Sequence, residues 1–171
     1  MGESSKRDPR AAALDVLEQH WTDSDGRVNF PVDPVVIAKS LKVDVVRANL
    51  EEGVSGILVK EPGQPSAQIF LNRRDHEKRQ RFTCAHEIGH LTRRGPDASG
   101  RIGYVDSRDT LSSSGTDTEE IWANQFAAEL LMPAVAVRTW WATGLTVAKT
   151  AKIFGVSEEA MRVRLASLRL S

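Results

Sequence analysis

Residues 84–90 read Cys-Ala-His-Glu-Ile-Gly-His and contain the spacing His-Glu-x-x-His. On a helix, His86 and His90 fall about 40° apart, one turn above the other, so both imidazoles can face one metal ion. Glu87 stands about 100° round the same helix, near enough to reach a water on that ion without being forced to ligate it. The bland alternative is a helix that happens to carry two of the chain's four histidines. The surrounding sequence has to decide between the two.

The spacing predicts a helix that starts from a cap at Asn72 or Asp75 and stops at Gly95-Pro96. Cys84, Ile88 and Leu91 fall opposite the histidines as a core-facing stripe, while Phe82 and Thr83 flank the histidine face. Cys84 is therefore expected to be a buried thiol rather than a ligand. His76 precedes His86 by about 15 Å of helix axis, too far to join the same ion. No histidine follows His90, and Arg93 stands where longer zinc-helix signatures continue with glycine. A third protein ligand is expected to be a carboxylate from later in the chain.

Residues 117–132 predict a second strong helix, closed by Pro133. On its wheel Asn124, Ala127 and Leu131 fall within about 40° of Glu120, with Ala123 about 60° to the other side. Such small neighbours would let this helix lie close to the histidine helix and bring the Glu120 carboxylate to the metal. The rival reading is an acid-rich first turn in which Glu120 partners an Asp117 cap. Residues 94–115, rich in Gly, Ser and Asp, are expected to form a long loop bordering the cleft. Tyr104, the single tyrosine, lies there as a candidate transition-state donor or a surface residue.

The 171 residues carry 23 basic and 23 acidic side chains, and this zero balance argues against a dedicated nucleic-acid binder. One cysteine excludes an internal disulfide. No apolar run follows Met1 and none is long enough to span a bilayer, so no membrane association and a cytoplasmic location are expected. Residues 1–9 are expected to be loose. Helices are predicted over 11–21 and 34–41, the latter with Asp33 as cap and Pro34 at its first position. Strands are predicted over 43–47, 56–60 and 67–71 as a small antiparallel sheet. After Pro133 the pattern is helical over 134–143, 146–154 and 157–168. Residues 146–168 have the size of a helix-turn-helix. Arg162, Arg164 and Arg169 are candidates for phosphate contact or for a solvated basic face. The expected architecture is α+β: one domain over 1–171, its sheet packed on a helical bundle that carries the motif, with a C-terminal helical subregion over 134–171.

Residues 81–91, Arg-Phe-Thr-Cys-Ala-His-Glu-Ile-Gly-His-Leu, resemble the active-site helix of the ImmA/IrrE metallopeptidases. Residues 120–133, Glu-Ile-Trp-Ala-Asn-Gln-Phe-Ala-Ala-Glu-Leu-Leu-Met-Pro, are similar to that family's second signature, and 154–165 to its C-terminal region. The resemblance implies a zinc site of gluzincin type, with His86, His90 and Glu120 as ligands and Glu87 as general base. It implies that Asn124 accepts the outer N–H of a ligand histidine. It also implies a protein substrate of the helix-turn-helix repressor class, cleaved to release its genes. Arg94 departs from the histidine many relatives carry, and Trp122 from a polar or acidic residue.

Two imidazoles and one carboxylate leave a fourth position on tetrahedral zinc for water, the catalytic arrangement. A zinc metallo-endopeptidase is the leading expectation. The alternatives are a non-catalytic metallopeptidase-like regulator that binds a repressor, or DNA through 146–169, and a zinc hydrolase acting on another amide.

Overall fold

The computed structural model describes residues 8–95, 100–105 and 117–170. Among these described residues, seven helices and a four-stranded sheet give the α+β architecture. Helix α1 (Pro9–His20) begins where Asp8 accepts from Ala11 N, with Pro9 in the first turn. Residues 8 and 9 thus belong to an ordered helix start rather than to a loose terminus, because an aspartate cap followed by proline is already set for a helix. Residues 1–7 lie outside the described residues. Helix α2 (Pro34–Ser40) starts as expected, with Asp33 accepting from Val35 N.

Strands β1 (Val43–Ala48), β2 (Val54–Lys60) and β3 (Ala67–Asn72) follow, and β4 (Gly100–Val105) comes later. Their spatial order is β1-β3-β2-β4. The β2–β3 and β2–β4 pairs are antiparallel, but β1 and β3 are parallel, so the sheet is mixed rather than wholly antiparallel. The chain reverses at each turn, which leaves β1 and β3 pointing the same way. β3 takes an inner place beside β2 and brings buried Ala67, Ile69 and Leu71 to the core. Strand β4 falls inside the stretch expected to be loop. Gly100 and Gly103 interrupt its apolar alternation, and pairing with β2 makes it a strand. Residues 96–99 and 106–116 of that expected loop lie outside the described residues.

Helix α3 (Glu77–Arg94) is the central element. It packs on β2 and β3 on one side and on α4 (Asp117–Leu131) on the other, and α1 covers α4. Its N-cap is His76, whose ring accepts from Lys78 N, and not Asn72 or Asp75. Asn72 remains in β3, with its amide donating to Val54 O. The Asp117 side chain lies outside the described residues. Arg81 of α3 donates from Nε to Gly155 O and from Nη2 to Val32 O, just before α2.

Three short helices complete the chain: α5 (Ala134–Trp141), α6 (Val147–Phe154) and α7 (Glu158–Ser167). Thr146 caps α6 and Ser157 caps α7. Arg164 is not a surface arginine. It is buried and ion-paired with Glu129 of α4, and its Nε donates to Met132 O at 3.0 Å. The other Glu129 oxygen accepts from Ala134 N at 2.9 Å. Arg162 remains outside, paired with Glu158. Removing one partner of a buried pair strands the other charge. Arg164→Ala should therefore lower the unfolding free energy by about 3–5 kcal/mol, whereas Arg162→Ala should change it by no more than about 0.5 kcal/mol. Urea denaturation of both variants checks this, and similar small losses would refute the buried-pair account.

Candidate metal centre

The centre depends on how closely α3 and α4 approach. Gly89 lies at their crossing: a Cβ there would meet Phe126 Cδ1 at 3.0 Å and Ala123 Cα at 3.3 Å. Only a residue without a side chain lets the α4 backbone come this near. The stripe of small residues around Glu120 thus serves close approach. On the opposite side β2 contributes a second glycine. A Cβ on Gly56 would stand 2.4 Å from Thr83 Cγ2 and 3.3 Å from Glu87 Oε1.

Across the crossing, Glu120 reaches both histidines. His86 Nε2 is 3.1 Å from Glu120 Oε2, and His90 Nε2 is 3.0 Å from Glu120 Oε1. The two Nε2 atoms are 3.0 Å from each other. Among the described residues this is the cluster of histidine, cysteine and acidic side chains whose ligating atoms could hold a metal ion. A tetrahedral ion with bonds of about 2.0–2.1 Å sets its ligand atoms about 3.3 Å apart, so the cluster is close to the required spacing. Both rings are fully buried, whereas the Glu120 side chain is 31% exposed, which makes its flank the solvent side.

The proton arrangement suits a cation as well. Asn124 Oδ1 stands 2.9 Å from His86 Nδ1 and can only accept, so the His86 proton sits on Nδ1 and Nε2 keeps its lone pair. Burial holds the His86 ring below its ordinary pKa and so favours the neutral, ligating form. Burial alone would raise the Glu120 carboxyl, but the adjoining His86 and His90 imidazoles outweigh that and hold it at about 2. The donor set of two imidazoles and a carboxylate fits zinc and similar divalent ions.

Glu87 stands beside the cluster, fully buried, with both carboxyl oxygens lacking a partner among the described residues. Burial, and then the charge of Glu120, raises its pKa well above the ordinary carboxylate value. An acid in such a place is suited to exchange a proton with a reacting group. Cys84 is buried on the core side, and burial pushes its thiol up to about 12, so it is a packing group. His76 caps α3, and His20 lies 3.0 Å from Ser40 Oγ, both apart from the cluster. Tyr104 occupies β4 opposite Gly56, and its side chain lies outside the described residues. Thr83 lies beside the site, on the flank of the histidine face where the helical wheel put it, whereas Gly56 and Gly89 are the site neighbours that motif reasoning passed over. The signal for the two glycines was their position inside a strand and a helix, where glycine marks close approach.

The raised Glu87 pKa has a definite consequence for stability. Its folded value lies above the unfolded one, so above about pH 4.5 the unfolded chain releases a proton that the fold retains. Stability then falls as pH rises from the unfolded towards the folded value, by about 1.4 kcal/mol for each pH step crossed. Metal-free Glu87→Gln should be more stable than the unaltered chain at pH 8 and nearly equal to it at pH 4. Urea denaturation in chelator at both pH values tests this. The same difference at both would contradict the assignment.

The family model for Peptidase M78, the IrrE N-terminal-like domain, matches residues 38–166. The uncharacterized immunity region protein 2 of Bacillus phage phi105 is 26% identical over 132 residues, which cover 77% of this chain and 78% of that protein. The family match spans α3, α4 and every member of the cluster. With most of its length inside that match, the chain belongs to the Peptidase M78 family of IrrE N-terminal-like domains.

Proposed function

We propose that the protein is a zinc-dependent endopeptidase that cleaves a helix-turn-helix transcriptional repressor in the cytoplasm. The observation that carries this reading is the meeting of His86, His90 and Glu120 beside a buried carboxyl, Glu87, that has no partner among the described residues. Bound zinc would supply Lewis acidity and a water ionisable near neutral pH. His86 and His90 present their Nε2 atoms to the ion's position, and Asn124 fixes the His86 ring from behind. Glu87 takes the proton of the attacking water and delivers it to the leaving amine of the cleaved peptide bond. Its raised pKa suits it to both halves of that exchange. Tyr104, placed by strand register beside Gly56, is the candidate donor to the developing oxyanion.

The protein-substrate reading is supported by the peptidase family and by similarity to a phage immunity region protein, which points to a repressor-related setting. No described helix is long and apolar enough to cross a membrane. Arg164, one of three tail arginines considered for phosphate contact, is taken up by Glu129. That weakens direct DNA binding through 146–169.

Co-expression with the repressor encoded beside the gene tests class and partner together. Intact repressor should disappear with the unaltered chain and persist with Glu87→Gln, which should still bind zinc. His86→Ala and Glu120→Ala should lose the metal. Activity should fall below about pH 6, as protons compete with zinc for the imidazoles. Derepression that survives Glu87→Gln with the repressor intact would instead identify a sequestering regulator.

A further inference from the structure

Glu120 sits in the first turn of α4, where backbone N–H groups have no partner within the helix and the end can fray. A ligand placed there is only as well fixed as its turn. Two successive residues at the end of the motif helix grip that turn. Arg93 Nη1 donates to Thr118 O at 3.0 Å, and its guanidinium carbon stands 5.7 Å from the centre of the Trp122 ring. Arg94 Nη2 pairs with Glu119 Oε2 at 3.1 Å. The gripped residues Thr118, Glu119 and Trp122 bracket Glu120. Trp122 stacks on Phe126, with centroids 5.6 Å apart and planes 14° from parallel, and Phe126 packs against Gly89.

Arg93 and Arg94 follow His90 by three and four residues, so they project from the same face one turn further on. The element that supplies two histidines thereby also holds the turn that supplies the acid. We propose that Arg93 and Arg94 are positioning residues that preset the Glu120 carboxylate for the metal. This rests on the metal-centre reading. The Arg94–Glu119 pair is partly exposed and contributes less, while Arg93, which holds a carbonyl and a ring at once, contributes more.

Coulomb's law gives the test its sign. Deleting a cation beside a site for a dication should tighten metal binding if charge alone mattered. Weaker binding is therefore the mark of lost positioning. In the full-length, metal-stripped chain, Zn2+ titrated against a chromogenic chelator should bind about 10-fold more weakly to Arg93→Ala. The loss for Arg94→Ala should be about 2- to 3-fold. Arg94→Glu should also weaken binding, and adding Glu119→Arg should restore it, as expected of an ion pair that positions. Zinc affinity unchanged or tighter in the Arg93→Ala/Arg94→Ala double variant, with Glu120→Ala still losing zinc, would overturn the proposal. If Glu120→Ala also binds zinc normally, the metal centre itself is misassigned and the proposal falls with it. Should the double alanine variant fail to fold, Arg93→Lys keeps the charge but not the planar fork. Weaker zinc binding by Arg93→Lys then supports the clamp, and unchanged affinity overturns it.

Discussion

The structure depends on one backbone approach, that of α4 to α3 at Gly89. The contacts between Glu120 and the histidines are 3.0–3.1 Å long, and hydrogen bonds and ligand bonds tolerate only a few tenths of an ångström of drift. A methyl group at Gly89 would press on Phe126 and on the Ala123 backbone and move α4 by that much. The driving force for the approach is apolar. Ile88, Phe126, Ala127, Leu130 and Leu131 are all fully buried, and packing of this density transmits a displacement instead of absorbing it.

The polar groups carried into this interior fall into two kinds. Some are satisfied: Gln80 accepts from Arg47 and donates to Asp75 O, and Glu129 is neutralised by Arg164 and bonded to Ala134 N. Others are left over. Among the described residues, most buried side-chain atoms without a partner belong to Thr83, Glu87 and His90, within two turns of one helix. A stability-driven core would not gather its unmet polar atoms in one place. Their concentration around the cluster shows where the fold gives up stability.

What could be read from the sequence follows the range of the interaction concerned. The motif helix with its stop at Gly95 and the Asp33-Pro34 start are set by residues a few positions apart, and each forms as the pattern predicts. Glu120 was legible only through its small-residue stripe, because its partners lie on another helix. Features decided by distant pairing were not legible. The place of β3 at the sheet centre depends on its neighbours on both sides. Strand β4 needs β2 to make it a strand. The burial of Arg164 needs Glu129, 35 residues earlier. The cap at His76 arises because β3 retains Asn72 as its last residue.

One contact ties the tail of the chain to this arrangement. Arg81 lies on α3 upstream of the histidines, and its guanidinium holds both Gly155 O, in the bend between α6 and α7, and Val32 O, just before α2. A single rigid fork thus moors two remote stretches of backbone to the motif helix. The terminal helices cannot swing away from the candidate metal centre without casting off that mooring. A force applied at the tail would therefore be felt at the rings as a tug on their own helix.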